Sequence, residues 1–367
     1  MGETTSWEVA LRARYGWALL SVGFVILCCA VCRVVRNPYD YMPVWAPDGN
    51  TLAFVCYEPS AWEIPLQMLR AHNPAARGDI PYDYRDAEIC TTRSNGRRTR
   101  LTRNRVPDYD PIWAPDGSRI AFVSHRDIGS DIYLMRPDGT EQTRLTYAGG
   151  VGDLAWSPVG GQLCYASGGD LWLVNVDTAV ERRLTDGAAR EGFPVWSPDG
   201  GTIAFIAEWE DRTEVRLLAL DTGEQRVLGL ASAGWTLAWS PDGRHLAFVG
   251  PTGEPGNTLY SIDIQTLKVT QLTRGDDRIH EGIAWAADGQ QVFYVAAGRI
   301  YTARADGSGW DPVTELESVL AFWREPNLTL SSDGNRIALA CADSWEIAKI
   351  WVVDLKEGLA IRASSGW

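Results

Sequence analysis

The sequence predicts an all-β fold: a seven-bladed β-propeller of four-stranded antiparallel blades, preceded by one N-terminal hydrophobic helix. Three observations carry this expectation. A segment of the form apolar-x-Trp-Ser/Ala-Pro-Asp-Gly, followed two residues later by an apolar run, recurs seven times in the 367 residues. The recurrence has a period near 43 residues, the length of a four-stranded blade. Tryptophan is abundant, with 17 in the chain, as expected when one repeated position is reserved for it.

The N-terminus stands apart from the repeats. Residues 16–32 (GWALLSVGFVILCCAVC) carry no charge, and Val34 and Val35 extend the run. Its length is at the short end of what crosses a bilayer. The expectation is a transmembrane signal anchor over 16–35 behind a cytoplasmic segment 1–15, with a signal peptide cut after Ala30 as the competing reading. Arg12 and Arg14 precede the run and Arg33 and Arg36 follow it, so charge leaves the orientation open.

The seven units begin PVWAPDGNTLAFV at Pro43, PIWAPDGSRIAFV at Pro111, LAWSPVGGQLCYA at Leu154, PVWSPDGGTIAFI at Pro194, LAWSPDGRHLAFV at Leu237, IAWAADGQQVFYV at Ile283 and LTLSSDGNRIALA at Leu328. The key position is Trp45, Trp113, Trp156, Trp196, Trp239 and Trp285, with Leu330 in the last unit. Each unit continues into two further short strands, as in DIYLM followed by TRLT in the second. Strands A to D of each blade are thus accounted for. In Ser-Pro-Asp-Gly, Pro pre-sets the first turn corner and Gly accepts the left-handed conformation. Strand B is apolar on both faces, as in Thr202–Ile206, which suits a blade covered on both sides. The Trp column and the turn Asp column (Asp48, Asp116, Asp199, Asp242, Asp288, Asp333) are therefore expected to be structural.

The propeller is expected over 42–367, with one insertion at 57–87 between strands B and C of blade 1. Blade 7 supplies four strands of its own, so the ring is expected to close by packing of blade 7 on blade 1. Within the insertion, SAWEIPLQMLRAH offers a helix start at Ser60, which Pro65 opposes, or at Pro65. Trp62, Leu66 and Leu69 are the candidate partner-docking residues there; a surface helix over a blade edge is the plainer reading.

These motifs closely resemble the WD-like repeats of TolB-type β-propellers, which also occur in the propeller domains of prolyl-oligopeptidase-class peptidases and tricorn-type proteases. The resemblance covers Met42 to the C-terminus. It implies the propeller fold and a site outside the cytoplasm, on the periplasmic or extracellular face of the membrane. TolB itself resembles a six-bladed propeller joined to an α/β domain. Seven units are counted here, with no residues left for that domain, so TolB's partners are not carried over.

No G-x-S-x-G elbow, P-loop, EF-hand loop or HExxH is present. The four histidines fall in four units, and no C-x-x-C lies in the repeats, so no catalytic site, metal site or cofactor is expected. A net charge of −13 argues against a nucleic-acid partner. One constellation stands out. Five residues before the key position lie Asp40, Asp108, Val151, Glu191, Gly234, His280 and Glu325. If the units superpose, Asp40, Asp108, Glu191, His280 and Glu325 ring the channel mouth and could hold a cation or a basic segment; ordinary charged loop surface is the alternative. The basic run Arg97–Arg105 falls on strand D of blade 1, where charge protects a sheet edge. The functional expectation is a membrane-tethered, non-enzymatic propeller. It would act as a protein–protein interaction scaffold or accessory subunit, binding membrane-associated protein partners and held to the membrane through 16–35. The alternative is a ligand-binding or lyase-type propeller using its central channel for a sugar, peptide or cation.

Overall fold

The computed structural model describes residues 39–57, 87–93, 96–104, 106–231, 236–251, 257–274, 279–296, 299–313, 328–342, 348–356 and 359–363. Within them lie seven sheets, each of four antiparallel strands in chain order. The innermost strands A are Tyr39–Trp45, Asp108–Trp113, Val151–Trp156, Arg190–Trp196, Leu237–Trp239, Ile279–Trp285 and Leu328–Leu330. They touch one another in succession from blade 1 to blade 7, and blade 7 touches blade 1. The all-β seven-bladed propeller is therefore as the repeats predict. The expected hydrophobic helix and anchor at 16–35 lie outside the described residues, as do Trp62, Leu66, Leu69 and Glu325. Among the described residues no helix is long and apolar enough to cross a membrane.

The core is a set of hydrophobic layers between neighbouring blades. Strand B feeds both layers beside it, which is why it is apolar on both faces. In blade 4, Ile203 and Phe205 pack toward blade 3 while Ala204 and Ile206 pack toward blade 5. Phe54, Phe122, Tyr165, Phe205 and Tyr294, at matching positions of strand B, are 1% exposed or less. Burying side chains of this size contributes about 2–3 kcal/mol apiece.

The Trp column is a staple between blades. Trp196 Nε1 donates to the Ala155 carbonyl at 3.1 Å, Trp239 to Val195 at 3.2 Å and Trp285 to Ala238 at 2.9 Å. Each acceptor is the residue before the key position of the preceding blade. Trp45 makes the same bond, at 3.3 Å, to Thr329 of blade 7. The seam that closes the ring thus repeats the bond of the other seams, without strand exchange. Thr92 Oγ1 adds a bond to the Ala363 carbonyl at 3.0 Å. A buried charge cluster also ties the seam: Asp40 on strand A of blade 1 lies 3.3 Å from Arg98 on strand D and 3.6 Å from Lys349 in blade 7. Trp113 and Trp156 break the pattern, because their buried N–H groups have no acceptor.

The turn aspartates act within their own turns. Asp116 accepts from the Ser118 N–H at 2.9 Å and Asp199 from Gly201 at 2.9 Å, and the following glycines sit at φ 70° and 72°. Blade 1 also holds a disulfide, Cys56–Cys90, joining strands B and C across a sequence separation of 34 residues. It was not foreseen in the cysteine pattern.

Candidate functional site

Strand A carries a local irregularity that recurs around the ring. In blade 1 Tyr41 pairs with Val55 and Val44 with Ala53, so Met42 and Pro43 together oppose Phe54. The same shift occurs before the key Trp in blades 2, 3 and 4. It places Met42, Asp110, Asp153 and Phe193 in the left-handed region, at φ 52°, 51°, 48° and 54°. All four stand three residues before the key position. A β-bulge adds a residue to one strand and re-aims a side chain. A non-glycine residue held left-handed costs about 1–2 kcal/mol, which the packed blades on either side supply. Asp tolerates this conformation better than Met or Phe.

In blades 2 and 3 the bulge residue is a carboxylic acid. Asp110 is half-buried. Burial, and then the charge of Asp153, push its carboxyl up from 3.8 to about 7. Burial also raises Asp153, opposed by the Phe193 N–H, which donates to Oδ2 at 3.2 Å, and by the nearby Arg190. The charge of Asp153 thus adds to burial in opposing ionisation of Asp110.

Beside Asp153 a pocket of about 390 Å³ opens between blades 3 and 4, on the face that carries the D-to-A and B-to-C connections. Five glycines form much of its wall: Gly150, Gly152, Gly168, Gly169 and Gly192. Its charged groups are Asp153, Arg190, Glu191 and Glu208. A larger groove of about 780 Å³ lies between blades 1 and 2 on the opposite face. Its carboxylates Asp48, Asp116 and Asp138 are held below their ordinary range by hydrogen bonds within their own turns, despite some opposing burial. They are turn caps rather than proton carriers.

The residues expected at the channel mouth are placed as follows. Asp40 is 1% exposed and sits in the cluster with Arg98 and Lys349. Asp108 is fully buried, accepting from Asn104 Nδ2 at 2.6 Å and Arg126 Nη2 at 2.9 Å. Glu191 is 3% exposed, with Oε2 lacking any partner, and burial raises its carboxyl against a hydrogen bond from Thr185. His280 lies on strand A of blade 6, with its side chain outside the described residues, as is Glu325. Of those among the described residues, Glu191 alone lines the pocket beside Asp153. Sequence reasoning missed Asp110 and Asp153. The signal was an acid three residues before the key Trp, followed only by apolar residues, in DPIW and DLAW. Among the described residues no group of three His, Cys, Asp or Glu side chains is arranged to hold a metal ion.

A family model described as the TolB beta propeller domain matches residues 170–366. Over 173 residues the chain is 32% identical to the protein Atu1656 of Agrobacterium fabrum, covering 42% of this chain and 59% of that one. It is 27% identical over 147 residues to the peptidase YuxL of Bacillus subtilis, covering 40% of this chain and 17% of that one. It is 26% identical over 260 residues to a tricorn protease homologue of Streptomyces coelicolor, covering 53% of this chain and 21% of that one. The chain therefore spans less than two thirds of the length of these relatives, 59% of the first and 17% and 21% of the others. Among solved structures, a puromycin-hydrolyzing peptidase of Mycobacterium tuberculosis superposes with a TM-score of 0.66 at 16% identity, over 90% of this chain and 54% of that one. An oligogalacturonate lyase in complex with manganese superposes with a TM-score of 0.61 at 19% identity, over 76% and 81%. At these identities the two structures establish a shared fold. The expectation of a non-enzymatic interaction scaffold is corrected by these matches, which include peptidases, a protease homologue and a lyase beside a TolB homologue of Chlorobium luteolum.

Proposed function

The chain belongs to the TolB beta propeller domain family, and from that premise we propose that it is an enzyme-type propeller that takes a polar ligand into its central channel and exchanges a proton with it through Asp110 and Asp153. One observation carries the reading. Two carboxylic acids stand at the same left-handed bulge of neighbouring blades, and burial with the neighbouring charge pushes one of them up to about 7. A carboxyl group with a pKa near the working pH serves as both proton donor and acceptor. A pair whose environments push their titrations apart can divide these roles, Asp110 holding the proton and Asp153 the charge. The relatives named as peptidases and the lyase-type neighbour agree with a ligand site in such a propeller. The metal of that lyase is not carried over, because the described residues offer no set of ligands for it.

The tether at 16–35 and a site outside the cytoplasm belong to the same proposal. The uncharged run supports the first, and the Cys56–Cys90 disulfide, a bond that persists in oxidising compartments, supports the second. The test is a thermal-shift screen of neutral, acidic and amino sugars and short peptides at pH 7. It compares wild type with Asp110→Asn and Asp153→Asn, and mass spectrometry follows each ligand for conversion. At least one compound should stabilise the wild type and lose that effect in both variants. Ligands that stabilise all three proteins equally, or none that binds, would contradict the proposal.

A further inference from the structure

Glycine at 152 is required neither by the backbone nor by packing. Its φ is ordinary for any residue, and a Cβ built there meets nothing within 4 Å. It also lies inside a strand, where glycine weakens the fold relative to alanine. The corresponding position is Tyr41 in blade 1 and Tyr109 in blade 2. In blade 4 it is Gly192, and there the reason is visible, since a Cβ would come within 2.7 Å of Asp153 Oδ2. At 152 the missing side chain leaves only space, and that space is the pocket between blades 3 and 4. A second, independent observation concerns charge. Glu191 is 3% exposed and lines this pocket, and its Oε2 has no hydrogen-bond partner among the described residues. A buried acceptor left without a donor costs about 1–3 kcal/mol, more when it is charged, and points to a donor from outside the chain. With Asp153 and Glu208 facing Arg190, the lining carries three carboxyl groups against one cation.

We propose that this pocket binds a primary ammonium group, held by Glu191 with Asp153 and Glu208 and lying over the bare backbone of Gly152. The inference rests on the channel reading above and names its ligand chemistry. An ammonium group brings three donors on a compact cation, matching acceptors that are not arranged for a metal. Arg190, exposed at the rim, is placed to meet an acceptor or carboxylate further along the same ligand. Burial holds the Glu191 carboxyl above its ordinary range, and an arriving cation favours its ionised form. The ammonium has two sources, the amino end of a peptide or an amino sugar.

The experiment uses trialanine and glucosamine, each beside its N-acetyl twin, in calorimetric titrations of wild type, Gly152→Ala, Glu191→Gln and Asp110→Asn. One free amine should bind the wild type at least about tenfold more tightly than its acetylated twin, and which one does so identifies the source. Gly152→Ala should lose that binding by a similar factor while melting no lower than wild type, because its Cβ fills space rather than colliding. Glu191→Gln should lose it too. Equal binding of the acetylated twins, no binding of either amine, or an unaffected Gly152→Ala would overturn the inference. A sugar or peptide that binds through Asp110 with no preference for the free amine would fail this inference alone. A preference for the amine that Asp110→Asn leaves intact would fail the proton-exchange reading alone.

Discussion

Replacing Asp110 with Asn isolates the cost of holding an acid on the ring. Asn has nearly the same shape and tolerates φ 51°, so the bulge is preserved. What changes is titration. The folded-state value is about 7 against 3.8 for the free side chain, so between those limits the folded chain holds a proton that the unfolded chain has released. Stability then falls as pH rises through that window, because the native state binds more protons than the unfolded one. That difference corresponds to about 4 kcal/mol as an upper limit. Asp110 is half-buried, and solvent screening reduces this to about 2 kcal/mol. Asp110→Asn should therefore match wild type near pH 4 and exceed it by about 2 kcal/mol at pH 8, or about 3 °C in Tm for a domain of this size. Melting curves of both proteins from pH 4 to pH 8 provide the assay. A difference that does not change with pH, or a variant less stable than wild type at pH 8, would refute the reasoning.

Three further outcomes follow from the packing. Trp285→Phe should cost about 1 kcal/mol more than Trp113→Phe in urea unfolding, because the Trp285 N–H donates to Ala238 at 2.9 Å whereas the Trp113 N–H has no acceptor. Lys349→Met should destabilise the ring by about 3 kcal/mol, since it removes one cation from the buried Asp40 at the seam between blades 1 and 7; equal stability would show that the seam does not depend on this charge. Cys56→Ala with Cys90→Ala should lose about 3–4 kcal/mol through the freed chain between them, separated by 34 residues, and reductant should lower the Tm of wild type but not of the double variant.

The repeat was legible because it is local. The Trp, the turn Asp-Gly and strand B fall within a dozen residues of one another, and each has a physical requirement that its residue type satisfies. The four strands of blade 7 and closure without strand exchange could be read from the same spacing. The bulge could not. It depends on register against strand B, and alternation of apolar residues says nothing about a left-handed residue within a strand, so Asp110 and Asp153 passed unnoticed while the row two residues earlier drew attention. Within that row Asp40 and Asp108 are buried beside protein cations, which spacing along the chain does not reveal: Lys349 reaches Asp40 only because the last blade meets the first. Cys56 and Cys90 likewise become neighbours only once strands B and C pair across the insertion. The functional reading went astray for a different reason. A propeller specifies a scaffold, and absent hydrolase motifs say nothing about a site assembled from side chains of adjacent blades.

The central claim is that burial and the charge of Asp153 keep Asp110 protonated to near neutral pH. The most direct measurement is a carbon-13 NMR titration of the aspartate side-chain carboxyl groups from pH 3 to pH 9. Wild type should show one carboxyl with a midpoint near 7, absent from Asp110→Asn and shifted downward in Asp153→Asn. If every aspartate of the wild type titrates below about 5, within the ordinary carboxylate range, Asp110 is not held protonated and the functional reading built on it falls with it.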